Sequence, residues 1–395
     1  MKVAIIHDYI KEFGGAERVL GALCEIYPDA PIYTAFVDKN STAYKHFKHK
    51  KIITSWFNFL PFASKLASPL RFLTPLIWRS FSAKGGPALG WNLSQYDVII
   101  SSASWYITKG FGGSKPIEIC YCHTPPRWLY GYNTSVNFQK YAIVRAYALI
   151  VGHFLRLYDF KRAQKVNYFI ANSKEVQNRI KKFYRKDASV IYPPVSIWDG
   201  RKSIYSQSSN LKNPPSTVYN QPSRDYYFIV SRIVGAKGLD LAVNAAVKAG
   251  FKLKIAGSPT GYYFEYNKLK DKSRSNIEFL GQVSDEDLAK LYKGAKAFLA
   301  LAKDEDFGIT PVEAMLSGTP VIAFNGGGYK ETVIDGKTGI LFNDYSADGL
   351  VAAIKKFESM KLNSKDCIEQ ALKFSKKRFK AEIENFVKSK VSAKG

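Results

Sequence analysis

The chain has 395 residues, 46% hydrophobic and 23% charged, which is enough for two domains with separate cores. Its net charge of +25 suits phosphorylated substrates, nucleic acid or an anionic membrane. Four cysteines at positions 24, 120, 122 and 367 form neither a disulfide framework nor a metal spacing, and no run of about 18 apolar residues provides a membrane span.

Short apolar runs alternate with longer helical stretches, the pattern of parallel α/β layers. Strands are expected at Val3–His7, Ile32–Thr34, Val98–Ser101, Ile117–Cys122, Tyr168–Ala171 and Val190–Tyr192. A second series follows at Tyr227–Val230, Lys252–Ala256, Ile277–Leu280, Phe298–Ala300, Val321–Phe324 and Ile340–Phe342. The first run lacks the long apolar region and cleavage site of a secretory leader, so a cytoplasmic location is expected.

The first strand runs into Phe13-Gly14-Gly15-Ala16-Glu17-Arg18, a turn that lets backbone approach a ligand at a helix start. It is neither a complete dinucleotide fingerprint nor a P-loop. Between Lys39 and Tyr96 there is no Asp or Glu, and basic residues from Lys39 to Lys84 are interleaved with Trp56, Phe57, Phe59, Phe62, Phe72, Trp78 and Phe81. That mixture suits an interfacial membrane surface, or a solvated basic face over an ordinary core. Pro61, Pro69 and Pro75 exclude one long amphipathic helix there.

His123 follows the strand at Ile117–Cys122, where a hydrogen-bonded structural histidine is the plainer reading. Asn172-Ser173 reads as a helix cap. The polar tract 199–224 reads as a linker or insertion between residues 1–198 and 225–373. Arg232 and Lys237 then follow the first strand of the second half, where open α/β sheets bind ligands and where two cations could converge on a diphosphate.

Glu305 lies in a loop after a strand, and Glu313 follows eight positions later. Thr310 reads as an N-cap, Pro311 as the first helical residue and Glu313 as the third, a Thr310-x-x-Glu313 capping box whose carboxylate could also touch a ligand. Eight residues of helix span about 12 Å, against roughly 5–9.5 Å for a glycosidase carboxylate pair, so hydrolysis is disfavoured. Asn325-Gly326-Gly327-Gly328 adds a glycine-rich turn after the next strand. Residues 374–395 form a basic, helix-prone tail with Phe379, Ile383, Phe386 and Val387 on one face.

Gly14-Gly15-Ala16-Glu17, His123-Thr124-Pro125, Ala171-Asn172-Ser173, Tyr192-Pro193-Pro194-Val195, Ser231-Arg232 with Lys237-Gly238, Phe279-Leu280-Gly281 and Glu305 with Glu313 occur in this order. The set resembles family 4 retaining glycosyltransferases, especially bacterial mannosyltransferases that build O-antigen and exopolysaccharide units. The resemblance implies a GT-B fold: two Rossmann-like domains with parallel sheets facing an interdomain cleft, and a final helix returning to the first domain. It implies hexose transfer with retention from a nucleotide sugar, GDP-mannose by the nearest likeness, with no metal and no other cofactor.

By the same resemblance Arg232 and Lys237 bind the donor diphosphate, and Glu313 holds the ribose. Glu305, with backbone of Phe307, Gly308 and Ile309, holds the donor sugar. His123 lies by its hydroxymethyl edge, Val283 lines the base pocket, Gly15 lies near the diphosphate and Gly14 on the acceptor side. The implied acceptor is a polyprenyl-diphosphate-linked saccharide, with the Lys39–Lys84 region on the inner face of the plasma membrane. Ser196, where many relatives carry Asp, departs from the pattern. Other readings are the same fold with a UDP-sugar, a nucleic-acid-binding protein, for which no reading helix is present, and a non-catalytic scaffold.

Overall fold

The structure, a computed structural model, describes residues 1–81, 92–132, 142–196, 224–259 and 263–392. The tract 199–224 lies outside the described residues except for Arg224. The chain divides into two compact units, one of residues 1–133, 138–194 and 378–395 and one mainly of residues 195–377.

The first unit is built on a parallel seven-stranded sheet of order β3-β2-β1-β4-β5-β6-β7. Its strands are β1 Val3–His7, β2 Ile32–Thr34, β3 Ile52–Thr54, β4 Val98–Ala103, β5 Ile117–Cys122, β6 Tyr168–Ala171 and β7 Ala188–Val190. Every residue of β1, β4 and β5 is buried, as expected of strands covered on both faces. The strand expected at 190–192 forms two residues earlier, ahead of Pro193 and Pro194. β3 has no counterpart in the expected series: its three half-buried edge residues are too few to show a period beside Lys48, Lys50 and Lys51.

The basic and aromatic region is not uniformly a surface. Phe57, Trp78 and Phe81 are fully buried, and each buried Phe gains about 1.5–3 kcal/mol from leaving water. Arg71 lies over the rings of both Trp105 and Trp128, each 5.0 Å from the guanidinium carbon. Only Phe59, Phe62 and Phe72 of the named aromatics are exposed. Patterning could not separate these groups, because the segment folds into short irregular turns rather than one periodic element.

Helix Lys174–Tyr184 begins where the Asn172-Ser173 pair predicts, and Ser173 caps it: its Oγ accepts from the Val176 N–H at 3.0 Å. Helix Lys376–Ser392 buries Phe379, Ile383 and Val387 in the cluster that contains Ile5, Leu23 and Ile119. Arg378 fastens that helix by donating to the Tyr192 carbonyl at 2.6 Å.

The second unit has a parallel six-stranded sheet of order β10-β9-β8-β11-β12-β13. Its strands are β8 Tyr226–Val230, β9 Leu253–Ala256, β10 Ile277–Gly281, β11 Ala295–Ala300, β12 Val321–Phe324 and β13 Gly339–Phe342. Both sheets are parallel α/β layers, as the alternation of runs predicts.

Candidate active site

In each sheet the strand order reverses direction between two neighbours, and the carboxyl ends of those neighbours form the natural ligand crevice. The reversal falls between β1 and β4 in the first unit and between β8 and β11 in the second. Polar side chains gather at both places.

In the second unit Lys237 follows β8 and Glu305 follows β11. The Lys237 Nζ donates to Glu305 Oε2 at 2.8 Å, and the Tyr329 hydroxyl lies 3.4 Å from the same oxygen. Burial, reinforced by the Glu305 charge, pushes the Tyr329 phenol well above its usual range, so it stays a hydrogen-bond donor. Arg232 is exposed on the same loop as Lys237. The structure thus brings Glu305 and Lys237 together, whereas the sequence motifs assign them separate jobs.

The three glycines after β12 have a backbone role. A Cβ at Gly327 would lie 2.1 Å from the Glu305 carbonyl oxygen, and one at Gly328 would lie 2.4 Å from the Phe307 Cα. The Gly328 N–H donates to the Glu305 carbonyl at 2.8 Å. The turn is therefore the platform on which the Glu305 loop rests, and only residues without side chains let the two backbones meet.

The capping-box reading of Glu313 is overturned. Helix Ile309–Leu316 starts ahead of Thr310 and Pro311, with Gly308 as its N-cap at φ +90°. Glu313 is the fifth helical residue, and its Oε2 accepts from the Tyr292 hydroxyl at 3.0 Å. The left-handed Gly308 lets the chain turn into the helix before Thr310. Phe307, 2% exposed, packs on Phe374, so its side chain anchors the loop. The N–H groups of Gly308 and Ile309 sit at the helix start, where an anion or polar sugar edge is favoured.

Val283 lines a surface pocket of about 390 Å³ with Tyr226, Leu280, Asp287, Lys290 and Leu291. Val283 follows β10, as Arg232 and Lys237 follow β8, so all three lie past the carboxyl ends of strands of one parallel sheet.

In the first unit Gly14 is the N-cap of helix Gly15–Ile26, and its N–H donates to Glu17 Oε2 at 2.9 Å. The other oxygen of Glu17 is 3.4 Å from His7 Nε2; His7 Nδ1 is 3.0 Å from Ser102 Oγ, which is 2.8 Å from His123 Nε2. A carboxylate only accepts, so His7 Nε2 carries the hydrogen facing it. In neutral His7 the Nδ1 then accepts from the Ser102 hydroxyl, whose lone pair takes the His123 Nε2–H. His123 is left with an unprotonated Nδ1. Burial, followed by the proximity of His7, pushes the His123 pKa down to about 4, against smaller raising effects of Asp8 and Glu17.

Asp8 organises the neighbouring loop. One oxygen accepts from the Ser104 N–H at 3.1 Å and Oγ at 2.9 Å and from the Trp105 N–H at 2.5 Å, and the other accepts from the Thr108 hydroxyl. Sequence reasoning misses His7, Asp8, Glu17, Ser102 and Tyr329 as partners. A signal is present for His7 and Asp8, polar residues at the carboxyl end of a wholly apolar strand. Nothing in sequence spacing announces Ser102 or Tyr329.

Comparison with known proteins agrees with this architecture. Residues 218–374 match the family model described as glycosyl transferases group 1. An alpha-1,3/1,6-mannosyltransferase of Dictyostelium discoideum is 28% identical over 339 residues, 74% of this chain and 76% of that protein. The lipopolysaccharide core biosynthesis mannosyltransferase LpcC of Rhizobium leguminosarum bv. viciae is 29% identical over 147 residues, 34% of this chain and 41% of that one. Among solved structures, Anabaena HepE in complex with UDP and glucose superposes with a TM-score of 0.64 at 18% identity, over 98% of this chain and 100% of that one. The chain thus carries a domain of the glycosyl transferases group 1 family, residues 218–374, within the GT-B glycosyltransferase fold.

Proposed function

We propose that the protein is a retaining glycosyltransferase that moves a hexose, mannose from GDP-mannose, to a lipid-linked saccharide in cell-surface polysaccharide synthesis. The observation that carries this reading is the Lys237–Glu305 pair at the reversal point of the second sheet, inside the matched domain. A carboxylate that holds a lysine in place also offers a second oxygen to a sugar hydroxyl. Lys237 and the exposed Arg232 supply positive charge for a leaving diphosphate, where charge develops in the transition state. Glu313 holds the ribose hydroxyls, while the Gly308 and Ile309 N–H groups face the sugar. Val283 borders the base.

In the first unit the unprotonated Nδ1 of His123 offers an acceptor to a hydroxyl, and the Gly14-Gly15 helix start suits an anionic or polar group. The leaving phosphate takes the proton of the incoming hydroxyl, so a separate general base is not required, and the two cations do the work that other enzymes give to a metal. The relatives named as mannosyltransferases favour mannose. A UDP-sugar is the second reading, because HepE is known with UDP and glucose.

The charge of the basic Lys39–Lys84 region supports a position against an anionic membrane surface, the inner face of the plasma membrane. Among the described residues no helix is long and apolar enough to cross a membrane. A donor panel read by nucleoside diphosphate release tests the reading. GDP release from GDP-mannose, lost in Arg232→Ala and Glu305→Ala, is expected. UDP release alone replaces the donor, and release unchanged in both variants refutes the site.

A further inference from the structure

Twelve large apolar side chains are exposed among the described residues, and eight of them lie on two segments of the first unit. Phe59, Phe62, Phe72 and Leu76 come from the turns around 59–79, at 71%, 72%, 47% and 52% exposure. Leu149, Ile150, Phe154 and Leu157 come from helix Ala142–Gln164 and are 50–71% exposed. Their spacing of one, four and three puts them on one stripe of the helix.

The opposite side of the helix is fully occupied. Leu155 packs with Ile107 and Leu129, and Asp159 is buried against Lys109 and accepts from the Tyr130 hydroxyl at 2.7 Å. The helix is thus firmly seated, with apolar side chains turned outward. The two segments are also neighbours: the Tyr147 hydroxyl on the helix donates to the Pro69 carbonyl at 2.7 Å. A patch assembled from two remote stretches of sequence needs an occupant, since scattered exposed leucines are ordinary and a gathered set is not.

Charge identifies the occupant. No Asp or Glu occurs from Lys39 to Tyr96, and Asp159 is the only acid of the helix. The exposed charged residues within the two segments are Lys65 and Arg79 on one and Arg145 and Lys161 on the other. Lys65 lies over the ring of Phe62, 5.5 Å from its centre, as at an interface where an aromatic ring enters the acyl boundary and its cation meets phosphate.

We infer that the outward stripe of helix Ala142–Gln164 and the tips of the 59–79 turns form one docking surface for a bilayer with anionic headgroups. The apolar side chains enter the interface, and the flanking cations contact the phosphates. The 59–79 part of the basic segment is then half of the surface, and the helix, which shows no basic run of its own, is the other half. This deepens the reading of a lipid-linked acceptor and rests on it only for why the enzyme should sit at a membrane.

Vesicle flotation of the full chain tests the inference, using phosphatidylcholine vesicles with and without phosphatidylglycerol. Binding to the anionic vesicles is expected, weakened at least tenfold in Leu149→Glu/Phe154→Glu and reduced by high salt. A second readout avoids charge reversal. The native thiols are all buried, so Leu149→Cys can be labelled selectively with an environment-sensitive fluorophore, whose emission should shift to the blue on anionic vesicles. Flotation of the double variant equal to wild type, or an unshifted probe, overturns the inference. So does a wild type that ignores vesicles but self-associates through this face, read as a dimer that the double variant dissociates. No donor is present in these assays, so their failure is distinguishable from failure of the glycosyltransferase reading, which the donor panel tests alone.

Discussion

If Lys237 and Glu305 act as one unit, removing either should remove most of what the other contributes. The Nζ and Oε2 atoms are 2.8 Å apart, and their side chains are 29% and 17% exposed. Unit charges at that separation attract by about 1.5 kcal/mol in water and about 6 kcal/mol at an effective dielectric constant near 20. Residual exposure screens the pair, and desolvation offsets part of the gain, which leaves an expected coupling of about 1–3 kcal/mol.

The assay is a double-mutant cycle of Lys237→Met, Glu305→Gln and the double variant, measured by denaturant unfolding and by single-turnover diphosphate release. Glu305→Gln keeps an oxygen for Tyr329 and leaves the backbone bond from Gly328 intact, so the cycle isolates the charge. In turnover each single variant should lose about 10²–10³-fold, and the double variant should be little worse than either. Additivity within about 0.5 kcal/mol in both measurements would show that the contact does not couple the two residues.

Gly327→Ala should cost about 1–3 kcal/mol and lower donor turnover, because its Cβ would press on the Glu305 carbonyl; a thermal melt unchanged from wild type would refute the platform role. Ser102→Ala strands the His123 Nε2–H, so the hydrogen should move to Nδ1; nitrogen-15 spectra of the His123 ring would report the exchange, and an unmoved tautomer would break the Glu17–His7–Ser102–His123 chain. His123 has a folded pKa near 4, below the ordinary 6.5, so the unfolded chain binds the extra proton first. Its contribution is complete above about pH 6.5 and is lost on acidification towards pH 4, at roughly 1.4 kcal/mol per unit between them. His123→Gln should flatten that part of the stability profile measured by urea unfolding. Donor turnover should survive EDTA, with Arg232 and Lys237 supplying the positive charge; complete loss restored by a divalent cation would reverse that assignment.

Sequence determined the fold class because local apolar runs are enough to mark buried parallel strands. It also placed Lys237, Glu305 and His123 after strands, where ligands bind in such sheets, and it marked Ser173 as a cap, since one side chain and one turn decide that. Position along the chain does not say who meets whom. Only the sheet orders put β8 beside β11 and β1 beside β4, joining Lys237 to Glu305 across 68 positions and His7 to Ser102 across 95. Glu313 misleads for a local reason: Thr310-Pro311 is a good helix start, but Gly308 supplies an earlier one by adopting a left-handed turn. The aromatic residues of the basic segment likewise divide into core and surface only when the chain folds back on itself. Composition sets how much apolar and charged surface a chain has, and tertiary packing chooses which part of it remains outside.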